Sequence, residues 1–182
     1  FLGDQINETL DILPPVKQMI ESLPMPSWLL VGNHDRNVHV TKNQDDVFNR
    51  FFGASYYSFN YGDVHFIVPN NIYTKGGRDY TGQIDDRQLA FVQNDLKHVP
   101  KSQTIVVSQH IPMVYTKNKD SFLELVKDYS NVLVLSGHTH QISRHILAPN
   151  VHELVAGATC GNWWVGERDW QAIPTALMQC GS

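Results

Sequence analysis

The chain has 182 residues, of which 42% are hydrophobic and 18% are charged, and its formal net charge is −4. This length predicts one domain with a substantial core, and the acidic charge argues against a general nucleic-acid-binding protein, because phosphate backbones require a basic surface. No apolar run approaches the ~20 residues of a membrane span, and two cysteines, Cys160 and Cys180, are too few for a disulfide scaffold and leave the cellular compartment open.

The first half of the chain alternates strand and helix patterns. It opens on FLGDQ, which has the composition of a strand end, and the last residues, LMQCGS, show no evident terminal element. We therefore expect residues 1–182 to be a single domain that is truncated at both termini. The predicted elements are a helix over 7–24 capped by Asn7 or Thr9 and interrupted at Pro14 and Pro15, a buried strand over 28–31, a helix over 45–52 and a hairpin over 56–71.

The second half continues the alternation. Asp85 is suited to cap an amphipathic helix, and the runs TIVV and VLVL have the composition of strands covered on both faces. The predicted elements are a polar loop over 74–82, a helix over 84–99, a strand over 104–110, a helix over 121–129, a strand over 131–140 and paired strands over 141–147 and 152–159. This alternation predicts an α/β layered fold.

Polar clusters follow four of the predicted strands. They are Gly3-Asp4, Gly32-Asn33-His34-Asp35, Gln109-His110 and Gly137-His138-Thr139-His140. Because the carboxyl ends of strands in open α/β sheets carry the functional sites, we expect these clusters to meet.

The residue types in these clusters indicate a metal centre. Imidazole, carboxylate and amide oxygen ligands suit Zn, Fe, Mn or Co, and no cysteine joins the set, which disfavours a structural zinc site. If 138–140 is extended, His138 and His140 face the same side and could serve two neighbouring ions. Asp4, with two carboxylate oxygens, is the natural bridge between such ions.

The succession GD, GNHD, H and GHTH resembles the calcineurin-like metallophosphoesterases, in the branch with GNHD. The segment TGQIDDRQLAFVQNDL is also similar to that family, so the resemblance covers nearly the whole chain. It implies a layered αββα sandwich whose first strand is missing here. The C-terminal segment from GATCGNWW onward resembles a bacterial, often exported, subgroup, which favours a periplasmic or secreted protein over a cytoplasmic one.

The resemblance also implies a role for each motif residue. Two divalent ions would activate a hydroxide that attacks a phosphate ester. Asp4 would bridge both ions, and His140 would bind the first. His34 would contact the phosphate and protonate the leaving oxygen, while Asp35 would hold that imidazole. The second ion would be completed by Asn33, His110 and His138.

One family motif is missing from this chain. The family begins with D-x-H on its first strand, and Asp63-Val64-His65 lies in the predicted hairpin instead. As given, the first metal site has only Asp4 and His140. We therefore expect that site to be empty, weak or completed by residues outside this sequence.

Three further residues are candidates for contact with a substrate. Arg36 and His39 follow the GNHD motif, and Trp163 could form a pocket wall, although surface or packing roles are the alternatives. Segments 37–44, 72–82 and 160–170 are expected to shape the pocket. Structural or solvated roles are expected for the remaining histidines, which are His65, His98, His145 and His152.

Metal-dependent hydrolysis of a small phosphate mono- or diester is the function that these features favour. A non-catalytic module that binds a metal and a ligand is the alternative from another class. A nuclease of the same fold is disfavoured by the charge of −4, and a Ser/Thr protein phosphatase by Asp35 in place of glutamate. The substrate, the identity of the metal and the oligomeric state stay open.

Overall fold

A computed structural model of the chain describes residues 1–159, 163–165 and 176–178. Its main sheet has six strands in the order β1-β2-β5-β6-β8-β7. Neighbours among β2, β5, β6 and β8 are parallel, and the two edge strands pair antiparallel. The strands are β1 (Tyr57–Tyr61), β2 (Val64–Val68), β5 (Thr104–Ser108), β6 (Val132–Ser136), β7 (Ser143–Ala148) and β8 (Val151–Val155).

In chain order the helices are α1 (Leu13–Glu21), α2 (Asp46–Phe52), α3 (Asp86–Asp95) and α4 (Lys119–Val126). Helices α3 and α4 pack against one face of the main sheet. The core on that face combines Val92 of α3 and Phe122 of α4 with Ile105 and Val107 of β5. Asp85 caps α3 as predicted, because its Oδ1 accepts from Gln88 N at 2.8 Å. The predicted α/β layered fold is confirmed.

The described helices include none with the length and apolar character needed to cross a membrane.

The helix predicted over 7–24 begins later than expected. Residues Leu10–Ile12 form a 3₁₀ turn, and α1 starts at Leu13 with Pro14 and Pro15 in its first turn. Neither Asn7 nor Thr9 caps it, since the residue before α1 is Ile12 and forms no side-chain cap. The prolines therefore open the helix instead of interrupting it, because the first turn needs no hydrogen-bonded N–H and suits their fixed φ.

The polar segment 74–82 is a hairpin and not a loop. Strand β3 (Ile72–Gly76) pairs antiparallel with β4 (Asp79–Gly82). Gly76 and Gly77 have φ values of 104° and 55°, which allow the tight turn between them. A polar two-stranded ribbon lacks the apolar alternation by which strands are predicted.

The segment 28–31 does not pair into a strand. Leu30 and Val31 are buried, and Trp28 O accepts a hydrogen bond from the Phe1 amino group at 2.9 Å. Trp28 also stacks on Phe59 of β1 at 4.6 Å between ring centroids. Extended and buried backbone of this kind resembles a strand in sequence but lacks a ladder of backbone hydrogen bonds to a neighbouring strand.

The second face of the sheet borders an apolar groove of about 660 Å³. Phe59 and Phe66 stack in it at 4.8 Å, and Leu135 and Leu154 also line it. Leu135 is half-buried and lines this groove, so the described residues cover this face of the VLVL strand only in part, whereas the sequence predicted cover on both faces.

Strand β9 (Trp163–Val165) pairs antiparallel with β10 (Ala176–Met178). The Trp163 side chain lies outside the described part of the structure, as do Cys160, Cys180 and most of the segment 160–170.

Candidate metal centre

Three predicted metal ligands come together at one edge of the sheet. Asp4, His110 and His138 each offer a ligand atom, and these atoms all lie within 4.8 Å of one another. His110 follows β5 and His138 follows β6, and these strands are parallel neighbours. Their carboxyl ends therefore place the two imidazoles side by side, as the sequence predicted.

The environment of His110 shows where an ion would sit. Its ring is buried, and Nδ1 donates to Leu2 O at 2.7 Å. The other ring nitrogen, Nε2, lies 3.0 Å from Asn33 Oδ1, 3.3 Å from Asp4 Oδ2 and 3.1 Å from His138 Nδ1. With Nδ1 protonated, Nε2 of the neutral ring carries a lone pair. Two oxygens and two nitrogens thus converge on one point, and they form a donor set that suits a divalent transition metal.

The ionisable groups in this cluster shift the pKa values of one another. Burial would raise the pKa of Asp4, but the hydrogen bond and charge of His110 outweigh it and hold that pKa below its ordinary value. Burial likewise opposes the charged form of His110, yet Asp4 raises its pKa above the ordinary value. Burial, followed by the neighbouring His110, lowers the pKa of His138 to about 4. Asp4 and His110 thus each favour the charged form of the other.

The ligand-bearing backbone is in an unusual conformation. Asp4, His138 and His140 have φ values of 55°, 67° and 58°, in the left-handed region that residues other than glycine rarely adopt. The premise that 138–140 is extended is therefore wrong, and the segment is a turn in which Thr139 N donates to Gly137 O at 2.7 Å. Left-handed backbone of this kind is concentrated at functional sites, where the surrounding contacts compensate its cost.

The space around position 32 has no room for a side chain. A Cβ added there would lie 2.1 Å from Asp4 Oδ1 and 2.3 Å from Asp4 N. Only a residue without a side chain lets the GNHD turn approach the first ligand so closely.

His140 lies at the same site but outside the tight group of three. It lines a cavity of about 420 Å³ together with Asp4, His110 and His138. The apolar wall of this cavity includes Met19 and Ile20 of α1.

Asp35 has a different task from the one the resemblance implied. Its buried carboxylate accepts from Gly32 N at 2.7 Å, Asp4 N at 2.8 Å and Ile6 N at 3.1 Å. Burial raises the pKa of this carboxyl to about 6, although the hydrogen bond from Gly32 favours the ionised form. Asp35 therefore binds two ligand-bearing loops to each other through their backbones instead of holding His34.

The carboxylate next to the His34 ring belongs to Glu8. Glu8 Oε1 lies 3.4 Å from His34 Nδ1, and Glu8 Oε2 lies 2.6 Å from Arg78 Nη2. Glu8 belongs to no motif, so the sequence did not single it out. The only sequence feature that pointed to it was its position four residues after Asp4.

Of the predicted substrate residues, Arg36 is only 2% exposed. Its guanidinium donates to Asn33 O at 2.9 Å and to Gln44 Oε1 at 2.7 Å, and it lies 5.0 Å from the centroid of the Tyr80 ring. Tyr80, in the segment 72–82 that was expected to shape the pocket, meets His138 edge-on with 6.0 Å between ring centroids. His39 is exposed and is not among the described residues that line the cavity at the metal centre.

Glu153 is a second buried carboxylate that the sequence did not single out. It accepts from Met113 N and Val114 N in the loop after His110, and from Ser136 Oγ just before the GHTH turn. It thereby connects two ligand-bearing segments. Elsewhere, His65 bonds to Asn60 and Asp95 within the hydrophobic layer, in the structural role expected of it.

Residues 1–142 match the model of the family described as calcineurin-like phosphoesterase, and residues 153–182 match the model of the C-terminal part of calcineurin-like phosphoesterases. A protein of Arabidopsis thaliana named probable inactive purple acid phosphatase 9 is 33% identical over 128 residues, which are 61% of this chain and 17% of that protein. Purple acid phosphatase 15 of the same plant is 27% identical over 143 residues, which are 66% of this chain and 25% of that protein. The chain thus spans a quarter or less of the length of these relatives.

Two solved structures share the fold. A dimetal phosphatase from Danio rerio superposes with a TM-score of 0.64 at 13% identity, over 86% of this chain and 70% of that one. A 5'-nucleotidase from Candida albicans superposes with a TM-score of 0.56 at 15% identity, over 85% of this chain and 36% of that one. At such identities the likeness shows the fold alone.

Proposed function

The chain belongs to the calcineurin-like phosphoesterase family, and we propose that it hydrolyses a small phosphate mono- or diester with the aid of two divalent metal ions. The convergence around His110 Nε2 is the observation that carries this proposal. Asp4, Asn33 and His138 each place a lone-pair atom within 3.3 Å of that nitrogen. Hydrogen bonding alone does not explain why so many acceptors meet there.

The ligand assignment follows from this geometry. Asp4, Asn33, His110 and His138 would hold one ion, and Asp4 with His140 would contribute to the other. Bound ions of this kind supply Lewis-acid charge and lower the pKa of a coordinated water. The site of Asp4, Asn33, His110 and His138 has a full donor set in this chain, whereas the site of Asp4 and His140 has two ligands, so we expect the affinities to differ.

The remaining residues position and protonate the substrate. During hydrolysis the bond between phosphorus and the ester oxygen breaks, a bond to a water oxygen forms, and the departing oxygen takes up a proton. His34 is the candidate donor, because its side chain is 40% exposed and its backbone N–H donates to Asp4 Oδ1 at 3.0 Å. Arg36 would not touch the ester, but its buried positive charge would stabilise the bound anion.

Metal binding and turnover test the proposal in the 182-residue chain. We expect calorimetric titration with Mn²⁺ or Zn²⁺ to show one tight site and a weaker one. We expect p-nitrophenyl phosphate or bis-p-nitrophenyl phosphate to be hydrolysed once metal is added. Comparison of the two substrates decides between monoester and diester preference.

Variants separate the chemistry from metal binding. His34→Asn should lower kcat by about 100-fold, the usual size of a general-acid contribution, and leave metal affinity within twofold. His98→Asn is the matched control, since His98 is exposed and distant in sequence from every ligand. Unchanged turnover in His34→Asn removes His34 from the reaction, and absence of metal binding in the parent chain overturns the proposal itself.

The alternative is a non-catalytic module that binds metal and ligand. One relative carries the name probable inactive purple acid phosphatase 9, and the ion held by Asp4 and His140 has only these two assigned ligands here. Tight metal binding without hydrolysis of either nitrophenyl ester would favour this alternative.

Several finer expectations stay predictions. The bacterial subgroup and the periplasmic or secreted location rest on the resemblance of the C-terminal segment, while the curated relatives named above are plant proteins. Salt-sensitive binding to DNA would be needed to revive the nuclease alternative.

A further inference from the structure

We propose that Glu8 is a positioning residue that orients the His34 imidazole, and that Arg78 in turn holds the Glu8 carboxylate. The inference rests on the proposed function, in which His34 protonates the leaving oxygen. It differs from the role implied for Asp35, whose carboxylate is occupied by three backbone N–H groups.

The two ring nitrogens of His34 are in different surroundings. Nδ1 is buried and has no hydrogen-bond partner at normal distance among the described residues, while the side chain as a whole is 40% exposed. The group facing this buried nitrogen is Glu8 Oε1, at 3.4 Å. A small rotation of the carboxylate closes this gap to a charge-assisted hydrogen bond, which is among the stronger polar contacts in proteins.

The backbone holds Glu8 against His34. Glu8 N donates to His34 O at 3.0 Å, and Glu8 has a φ of 60°, in the left-handed region. Such a conformation is unfavourable for a residue other than glycine and persists where surrounding contacts compensate it. The backbone bond to His34 O therefore keeps the Glu8 side chain beside the imidazole.

Arg78 uses the second oxygen of the same carboxylate. It lies at the turn between β3 and β4, and its Nη2 donates to Glu8 Oε2 at 2.6 Å. The Glu8 side chain is 18% exposed and that of Arg78 is 77% exposed. Because exposed ion pairs are weak, Arg78 should matter less than Glu8.

This arrangement has a defined chemical effect. A carboxylate that accepts from Nδ1–H selects the ring orientation in which Nε2 faces away from Glu8. The ring donates from Nε2 only when it carries a proton on each nitrogen, so the proton passes from Nε2 to the leaving oxygen while Nδ1–H stays on Glu8. A donor held in that orientation assists departure of a poor leaving group, whereas an activated phenol such as p-nitrophenol departs without much help. The effect of Glu8 should consequently depend on the ester that is hydrolysed.

Glu8→Gln tests the inference with two substrates. We expect kcat for an alkyl phosphate to fall at least about 10-fold more than kcat for p-nitrophenyl phosphate, with KM and Mn²⁺ affinity within twofold of the parent. Arg78→Ala should shift the same ratio in the same direction by about threefold. Glu21→Gln, in which an exposed glutamate on α1 is changed, should leave the ratio unchanged.

A second measurement does not depend on turnover. Nitrogen-15 chemical shifts of the His34 ring in the metal-free chain should report a proton held on Nδ1 in the parent, and loss of that preference in Glu8→Gln. Equal losses of kcat on both esters, or a His34 ring unaffected by Glu8→Gln, would overturn the inference. If the metal-loaded parent hydrolyses neither ester while the ring still responds to Glu8→Gln, the positioning stands and the proposed function fails.

Discussion

A methyl group added at Gly32 has no room beside the Asp4 carboxylate. The Cβ of an alanine would lie 2.1 Å from Asp4 Oδ1 and 2.3 Å from Asp4 N, whereas real Cβ contacts essentially never fall below 3.0 Å. Asp4 must therefore move by about 0.9 Å, the difference between these distances. Gly32 itself has a φ of −99°, so alanine causes no backbone strain there and the whole effect is steric.

The expected magnitudes follow from that displacement. Overpacking in a filled site costs about 1–3 kcal/mol of unfolding free energy. A ligand displaced by about 1 Å costs on the order of 100-fold in the step that depends on it. We therefore expect Gly32→Ala to bind Mn²⁺ about 100-fold more weakly than the parent.

Gly137→Ala is the matched control. This glycine also precedes a metal ligand, but its added Cβ would meet Leu2 O at 3.4 Å and Leu2 Cβ at 3.5 Å, which are ordinary contacts. Calorimetric titration measures Mn²⁺ affinity, and urea unfolding of the metal-free chains measures stability. The reasoning is refuted if Gly32→Ala binds Mn²⁺ within threefold of the parent, or if both variants lose affinity equally.

Three further predictions concern the supports of the site and of the sheet. Asp35→Asn leaves one acceptor oxygen for three backbone N–H groups that now bond to a carboxylate. We expect urea unfolding to show a loss of about 1–3 kcal/mol of unfolding free energy, and titration to show a Mn²⁺ affinity at least about tenfold lower. Wild-type affinity would show that the loops do not need this carboxylate. Glu153→Gln should lower the unfolding free energy by about 2–4 kcal/mol, because an amide nitrogen would face a backbone donor, and a neutral result in urea would contradict the assigned bonds. Burial raises the pKa of Tyr57 to about 12, above the value near 10 of an unfolded chain, so its contribution to stability is complete below pH 10 and is lost as the pH rises toward 12. Since Tyr57 is only half-buried, we expect at most about 1–2 kcal/mol, seen as a steeper loss of stability between pH 10 and 12 in the parent than in Tyr57→Phe, and parallel curves would disprove it.

Local sequence patterns were sufficient to predict much of the secondary structure of this protein. The apolar runs of β5 and β6, the hairpin of β1 and β2 and the cap at Asp85 could all be predicted, since each depends on residues close together in the chain. The residue types of the metal centre were predictable for a similar reason. Imidazole, carboxylate and amide groups that follow buried strands have few structural uses, and parallel neighbours bring their ends together.

The tertiary structure decided how those groups are oriented. His110 Nδ1 bonds to Leu2 O, 108 residues away, and this contact determines which ring nitrogen faces the other ligands. The left-handed backbone of His138 and His140 and the assignment of Glu8, not Asp35, to the His34 ring likewise follow from packing between segments distant in sequence. Sequence alone thus determined which chemical groups are present and, for His110 and His138, which strands carry them. Their directions and partners depend on long-range contacts that no local periodicity encodes.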